Sequence, residues 1–157
     1  MRWEFPGVFT AGEAADLAGD VGYLDFGDPR LGGVLDLLRG VAPIDTADPA
    51  YVRIEQRPQG HPWHFDTGTK GHMGWCRFTA GSLLVPPDRF DGGGFYFRDR
   101  GPVFHHLDLL AWDSDEENEH CVTSNSGARV VLLMFFGGAD GRLSQDNDPL
   151  PAAPPSS

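Results

Sequence analysis

Four residues of the chain have the types and the spacing of a metal site with an acid-binding group beside it. His64 and Asp66 lie two positions apart, and His120 follows in the later part of the chain, shortly before Arg129. Two imidazoles and one carboxylate can hold Fe(II) on one face and leave the opposite positions open. A guanidinium is suited to bidentate binding of a carboxylate. The pattern therefore predicts an iron site beside a docking group for a dicarboxylic acid.

The elements that would position these residues are mostly short strands. Residues 51–57 alternate and are rich in strand-forming types, which predicts a strand. The chain holds 21 Gly and 13 Pro, which suits short strands joined by many turns. Further strands are predicted over 74–85, 95–97, 103–106, 107–112, 121–124 and 129–136. Seven or eight such strands are typical of a double-sheet jelly roll.

The first forty residues predict helices. Thr10 and Glu13 have the spacing of a capping box ahead of an alanine-rich stretch. Residues 31–38 carry leucines and a valine at helical spacing. We therefore expect a mainly β chain, a double-stranded β-helix (jelly roll) with one or two short N-terminal helices packed on one sheet.

Length, charge and cysteine content limit the class of protein. At 157 residues the chain predicts a single jelly-roll domain over 1–140 and a flexible C-terminal tail over 141–157. A net charge of −11 argues against a nucleic-acid partner. No apolar run reaches the ~18 residues of a membrane span. The two cysteines, Cys76 and Cys121, provide no disulfide framework, which favours the cytoplasm. The oligomeric state is left open.

The order of the motifs resembles the Fe(II)/2-oxoglutarate-dependent dioxygenase superfamily, in particular its prolyl-4-hydroxylase-like branch. That branch has His-x-Asp, a Gly-Gly turn leading into a short hydrophobic strand, a strand ending in an acidic turn, and His-x-Val with Gly and Arg downstream. The corresponding segments here are His64-Phe65-Asp66, Gly93-Gly94-Phe95-Tyr96-Phe97, residues 108–113, His120-Cys121-Val122 and Gly127-Ala128-Arg129.

The resemblance implies a set of roles for these residues. His64, Asp66 and His120 would ligate Fe(II), and no catalytic residue is expected beyond these ligands. Arg129 would bind the distal carboxylate of 2-oxoglutarate, and O2 would be the second cosubstrate. The implied reaction is hydroxylation of a C–H bond of a small molecule or a protein side chain, with succinate and CO2 as co-products. A second cosubstrate contact is expected on the strand before His64, where Tyr51 and Arg53 are the candidates.

Two other classes stay open on the residues alone. Two histidines and a carboxylate also suit zinc, so a Zn or cupin-type metalloenzyme is an alternative, as is a non-catalytic jelly-roll module that binds metal. Other histidines compete less well for the ligand positions. His61 is expected to face the other side of its strand from His64. The pair His105-His106 lacks the Gly and Arg that follow His120.

Overall fold

Short strands dominate the computed structural model of the protein, which describes residues 1–47, 50–66 and 75–137. The α-helices in this part of the chain are α1 (Ala11–Ala18) and α2 (Gly32–Arg39). The strands are β1 (Arg2–Phe5), β2 (Gly22–Leu24), β3 (Ala50–Glu55), β4 (His61–His64), β5 (Phe78–Leu83), β6 (Phe90–Gly92), β7 (Phe95–Phe97), β8 (Leu109–Asp113), β9 (His120–Val122), β10 (Asn125–Gly127) and β11 (Val131–Phe136). The predicted strand over 103–106 is replaced by a loop, in which His106 makes an isolated bridge to Leu83.

Two antiparallel sheets form the body of the fold. The larger has six strands in the order β1-β8-β5-β11-β3-β2, and the smaller has three in the order β4-β9-β7. Strands β6 and β10 pair with each other separately. The larger sheet is extended at its two edges by β1 and β2, which the sequence analysis did not predict. Two packed antiparallel sheets made of short strands confirm the mainly β, jelly-roll expectation.

Alternation along β3 separates the two faces of the six-stranded sheet. Val52 and Ile54 are fully buried in the hydrophobic core on the outer face. Tyr51 and Glu55 project from the opposite, inner face, because residues an even number of positions apart in a strand point to the same side. The inner face looks toward the three-stranded sheet, because Trp112 of β8 lies against His120 of β9 with ring centroids 5.3 Å apart.

Both helices cover the outer face. The capping box of α1 is formed as predicted, because Thr10 Oγ1 accepts a hydrogen bond from the Glu13 amide and Glu13 Oε1 accepts one from the Thr10 amide. The buried side chains of the helices join the outer core, and they are Ala14, Leu17, Val34, Leu35 and Leu38. Each large aliphatic side chain buried in this way contributes about 1.5–3 kcal/mol. The predicted packing of the helices on one sheet is confirmed, and it leaves the inner face for a site.

The space between the sheets holds a second, aromatic core. Phe95 and Phe97 of β7 pack with Leu110 and Trp112 of β8, and Phe104 stacks on Phe95 with ring centroids 4.4 Å apart. None of the helices in the described part of the chain has the length and apolar character to cross a membrane. The predicted domain boundary at residue 140 and the tail over 141–157 lie outside the described residues.

Candidate metal centre

Three side chains converge where β4 meets β9. His64 ends β4, and it pairs directly with His120, which begins β9. Asp66 follows in the turn after β4, and its Oδ1 lies 3.6 Å from Nε2 of each histidine. The ligand atoms all lie within 4.8 Å of one another, and within residues 1–47, 50–66 and 75–137 no other set of three His, Cys, Asp or Glu side chains does so. The three residues chosen from the sequence therefore come together, whereas His105 and His106 stay outside the set.

In each of the two histidines, the ring nitrogen that points away from Asp66, Nδ1, is hydrogen-bonded to a backbone carbonyl oxygen. His64 Nδ1 lies 2.7 Å from the Pro62 carbonyl oxygen, and His120 Nδ1 lies 2.9 Å from that of Asn118. A carbonyl oxygen can only accept, so each Nδ1 carries a proton, and Nε2 is the ring nitrogen that faces Asp66. Burial lowers the pKa of His120, although the Asp66 carboxylate opposes the shift. Neutral imidazoles that point their Nε2 atoms inward are the form that binds a metal.

The carboxylate oxygen of Asp66 that points away from the histidines, Oδ2, is also hydrogen-bonded. Asp66 Oδ2 accepts hydrogen bonds from Thr79 Oγ1 at 2.8 Å and from Trp112 Nε1 at 3.2 Å. Its Oδ1 is left facing the two histidines. The sequence analysis missed Thr79 and Trp112 as partners of Asp66, because they come from β5 and β8 and no local spacing links them to it.

Strand β4 is irregular, and this corrects two expectations about its side chains. His64 and Asp66 were expected to share one face of a single strand, but β4 ends at His64. The pairing with β9 also shifts within β4, because His61 lies opposite Val122 whereas His64 lies opposite His120. The three-residue step on β4 thus matches a two-residue step on β9, as in a β-bulge. The prediction that His61 faces away was wrong, since its ring centroid is 4.3 Å from that of His64.

Arg129 is buried just before β11, with 4% of its surface exposed. Its side chain runs against Gly93, which has a φ of +70° and no side chain to obstruct it. A Cβ built at Gly93 would lie 2.7 Å from Nε of Arg129 and closer still to its Cδ. Burial lowers the pKa of Arg129, and the negative charge of Glu55 opposes this shift. The glycine that the sequence assigned to a turn therefore also makes room for the arginine.

The inner face of β3 and the residues after it bring a buried carboxylate and further arginines to the site. Glu55 Oε1 lies 3.2 Å from Arg53 Nη2 and 3.7 Å from Arg57 Nη1. Arg57 Nη1 also lies 3.0 Å from His61 Nε2, so polar contacts run from Glu55 to the histidine beside His64. The sequence analysis did not select Glu55, Arg57 or His61. The alternation that placed Tyr51 and Arg53 on one face could have pointed to Glu55 and Arg57 as well.

Tyr51 and Arg53, the candidates for a second cosubstrate contact, lie side by side on this face. The ring of Tyr51 packs against Phe135 and Trp75, with centroids 5.0 and 5.9 Å away, and burial raises its pKa. The Arg53 guanidinium carbon lies 5.9 Å from the Tyr51 ring centroid. Arg53 also pairs with Glu55. The contact of Tyr51 or Arg53 with a cosubstrate stays a prediction.

The polar atoms of the site suit a metal ion with an acid beside it. Several buried nitrogens here have no hydrogen-bond partner within the described part of the chain, and they are Nε of Arg53, Arg57 and Arg129 and Nδ1 of His61. Buried polar groups are almost always hydrogen-bonded, so each exception calls for an explanation. Guanidinium donors are matched by carboxylate oxygens. Two Nε2 atoms and one carboxylate oxygen are likewise a donor set that Fe(II) accepts.

The chain is similar in structure to several solved proteins. No protein-family profile matches the sequence, and no curated protein sequence matches it. A viral collagen prolyl hydroxylase from Paramecium bursaria chlorella virus-1, in complex with 2-oxoglutarate, superimposes with a TM-score of 0.60 at 12% identity, over 85% of this chain and 93% of that one. A prolyl-4-hydroxylase from Pseudomonas putida gives 0.62 at 17% identity, over 86% and 83%.

A third similar structure is a prolyl hydroxylase from Trichoplax adhaerens, in complex with a peptide fragment of the hypoxia inducible factor oxygen degradation domain. It superimposes with a TM-score of 0.59 at 13% identity, over 92% of this chain and 87% of that one. At these identities the likeness establishes the fold. The protein therefore has the double-stranded β-helix of the prolyl-4-hydroxylase-like Fe(II)/2-oxoglutarate oxygenases, as the order of its motifs predicted.

Proposed function

We propose that the protein is an Fe(II)- and 2-oxoglutarate-dependent dioxygenase that hydroxylates a C–H bond, with O2 as cosubstrate and succinate and CO2 as co-products. The observation that carries the proposal is the convergence of His64, Asp66 and His120, whose ligand atoms lie within 4.8 Å of one another, on a fold that also buries Arg129. Bound Fe(II) would supply the redox chemistry that activates oxygen at its open coordination positions. The chain's own residues hold, orient and shield the reacting groups.

Each residue has a defined part in this scheme. His64, Asp66 and His120 would hold the metal through Nε2, Oδ1 and Nε2, because their other polar atoms are already engaged. Arg129 would bind the distal carboxylate of 2-oxoglutarate, since its Nε is buried and has no partner among the described residues. A charge-assisted pair of this kind is strong when it is shielded from water. The aromatic core formed by Phe95, Phe97 and Trp112 limits the access of water from the side of β7 and β8.

The substrate is proposed to be a small molecule or a protein side chain. The Trichoplax neighbour was solved with a peptide bound, which makes proline-containing peptides a first group to test beside free amino acids and other small metabolites. The net charge of −11 argues against nucleic acid, since a negative surface repels a phosphate backbone. Mass spectrometry of candidate substrates after turnover should reveal a gain of one oxygen atom.

The test of the proposal is a binding experiment without oxygen. Adding Fe(II) and then 2-oxoglutarate to the protein should produce a weak visible charge-transfer band, and His64→Ala should abolish it. Arg129→Met should raise the concentration of 2-oxoglutarate needed for the band by about tenfold to a hundredfold, because a hydrogen bond to a charged group contributes about 1.5–3 kcal/mol. Arg39→Met, at a half-exposed arginine on α2, is the matched control and should behave like the parent protein.

The outcomes separate the alternatives. Absence of the band in the parent protein, with its metal ligands intact, would refute the proposal. A hydrolytic activity that needs zinc and is unchanged by Arg129→Met would favour the zinc metalloenzyme, which has no use for the guanidinium. A band that forms without any release of succinate on exposure to oxygen and candidate substrates would favour a non-catalytic module.

A further inference from the structure

A buried chain of hydrogen bonds stands behind Asp66. Its Oδ2 accepts from Thr79 Oγ1 at 2.8 Å and from Trp112 Nε1 at 3.2 Å. Thr79 Oγ1 in turn lies 2.6 Å from Ser114 Oγ, and Ser114 Oγ lies 3.3 Å from Cys76 Sγ. All of these residues are buried. Asp66 is therefore supported by a polar network that is shielded from solvent.

The available hydrogens set the direction of this chain. A carboxylate can only accept, so the single hydroxyl hydrogen of Thr79 is used on Asp66. Thr79 must then accept from Ser114, which uses the single hydroxyl hydrogen of Ser114. Beyond Ser114 the direction is not fixed, because the single thiol hydrogen of Cys76 can go to Ser114 Oγ or to the Phe78 carbonyl oxygen, which lies 3.6 Å from Sγ. The hydroxyls of Ser114 and Thr79 thus both donate toward Asp66, and neither has a second hydrogen with which to reverse the direction.

Thr79 and Trp112 are placed by the sheet itself. They lie directly opposite each other in the antiparallel register of β5 and β8, and both side chains point to the inner face. Side chains opposite each other on neighbouring strands are held at close and fixed separation. Groups carried on strands also hold a site more precisely than groups carried on loops. Asp66, which comes from a turn, receives its orientation from this pair.

We propose that Thr79 and Trp112 are positioning residues that hold Asp66 as a ligand through one oxygen, Oδ1. The inference rests on the proposed function for the identity of the metal site and extends it to residues that touch neither metal nor cosubstrate. With Oδ2 tied back, the carboxylate occupies one coordination position. If Oδ2 were released, the carboxylate could rotate and use both oxygens, and it would then take a position that the cosubstrates need.

Metal affinity tests this inference without any turnover. We would measure the dissociation constant for Co(II) in Thr79→Val, which keeps the shape and removes the hydroxyl, and in Trp112→Phe, which removes the indole N–H. Each should bind about 10- to 100-fold more weakly than the parent, as is typical for the loss of a partner behind a metal ligand. Thr79→Ser keeps the hydroxyl and should bind with nearly the parent affinity, which a purely structural role of Thr79 would not predict.

Two matched controls are buried elsewhere in the fold. Ser82 is buried on β5 and its Oγ has no partner within the described residues, and the same holds for Nε1 of the fully buried Trp75. Ser82→Ala and Trp75→Phe therefore remove a buried hydroxyl and a buried indole N–H that are not hydrogen-bonded to Asp66, and Co(II) binding should be unchanged. Thermal unfolding of every variant would show how much of each effect comes from stability.

The visible spectrum of the Co(II) protein provides the second readout. The d–d bands of Co(II) depend on the number of ligands, so Thr79→Val and Trp112→Phe should alter them in the same way, whereas Thr79→Ser should not. Parent-like affinity and spectra in both Thr79→Val and Trp112→Phe would overturn the inference, as would equal losses in Thr79→Ser and Thr79→Val. If the parent binds Co(II) but no 2-oxoglutarate, the proposed function fails and the positioning roles can still be measured. If the parent binds no divalent ion, both fail.

Discussion

Gly93→Ala should weaken the binding of 2-oxoglutarate and leave the metal site intact. An alanine Cβ would lie 2.7 Å from Nε of Arg129 and closer still to Cδ, with Asn125 Cβ 3.1 Å away on another side. Ordinary contacts between carbon atoms are about 3.5–4.0 Å, so the arginine side chain must move by roughly 1 Å or more. Because the close atoms belong to the outer half of a long side chain, its movement is easier than a shift of the backbone, and it should displace the guanidinium from its buried position.

The magnitude follows from what the guanidinium is proposed to do. Loss of a well-aligned hydrogen bond to a charged partner removes about 1.5–3 kcal/mol, which is about tenfold to a hundredfold in the dissociation constant of 2-oxoglutarate. The backbone adds a separate effect on stability, since φ at Gly93 is +70° and an L-residue in this region is disfavoured by roughly 1–2 kcal/mol. The lost hydrogen bond should change the dissociation constant of 2-oxoglutarate, whereas the backbone strain should change the free energy of unfolding.

The assay is a titration of 2-oxoglutarate into the anaerobic Fe(II) protein, followed by the visible band, with Co(II) affinity measured in parallel. Gly7→Ala is the matched control, because Gly7 has a similar φ of +62° and a Cβ there would meet nothing within 4 Å. Gly7→Ala should be destabilised with unchanged binding, whereas Gly93→Ala should be destabilised and should also lose affinity for 2-oxoglutarate, with unchanged affinity for Co(II). Parent-like affinity in Gly93→Ala would refute the reasoning that this glycine positions Arg129.

Further predictions concern stability. Ile54→Ala, at a fully buried position of the outer core, should lower the free energy of unfolding by about 2–5 kcal/mol in urea titrations, with the parent dissociation constant for Co(II). Thr10→Ala removes the cap of α1 and should destabilise the protein by about 1 kcal/mol, seen as a lower melting temperature. Burial lowers the pKa of His61 from 6.5 to about 4, so the unfolded chain takes up the proton first as the pH falls. Between pH 7 and pH 5 the metal-free protein should therefore lose stability, and His61→Gln should lose less in the same urea titrations.

The sequence predicted best those elements whose signals are local. Helix α1 was predicted over Ala11–Ala18 because the Thr10 and Glu13 side chains cap it within one turn. Strand β7 was predicted over Phe95–Phe97 because a glycine-rich turn precedes three aromatic residues. Strand β1 was not predicted, since it forms by pairing with β8, which lies about a hundred residues later in the chain. Short edge strands of this kind carry little information in their own residues.

The residues of the candidate metal site could be predicted from the sequence, but the side chains that support Asp66 could not. His64, Asp66 and His120 were selected by residue type and by the order of the surrounding motifs, and their ligand atoms do converge. Thr79 and Trp112 reach Asp66 only through the register of β5 with β8. A one-residue change of that register would turn both side chains to the other face. No spacing along the chain encodes such a relation, because it depends on which strands become neighbours.

The register of β3 with β11 determines which side chains of β3 face the outer core and which face the candidate site. Six consecutive pairs, from Val131 opposite Glu55 to Phe136 opposite Ala50, fix this register. In it, Val52 and Ile54 enter the outer core, while Arg53 and Glu55 remain on the inner face, where the charge of Glu55 acts on Arg129. Burying these charged groups is unfavourable unless they are paired, and the apolar residues that alternate with them supply the opposing stabilisation on the same strand. The outer core therefore holds the polar site in place, so substitutions on one face of β3 should change unfolding and those on the other should change binding.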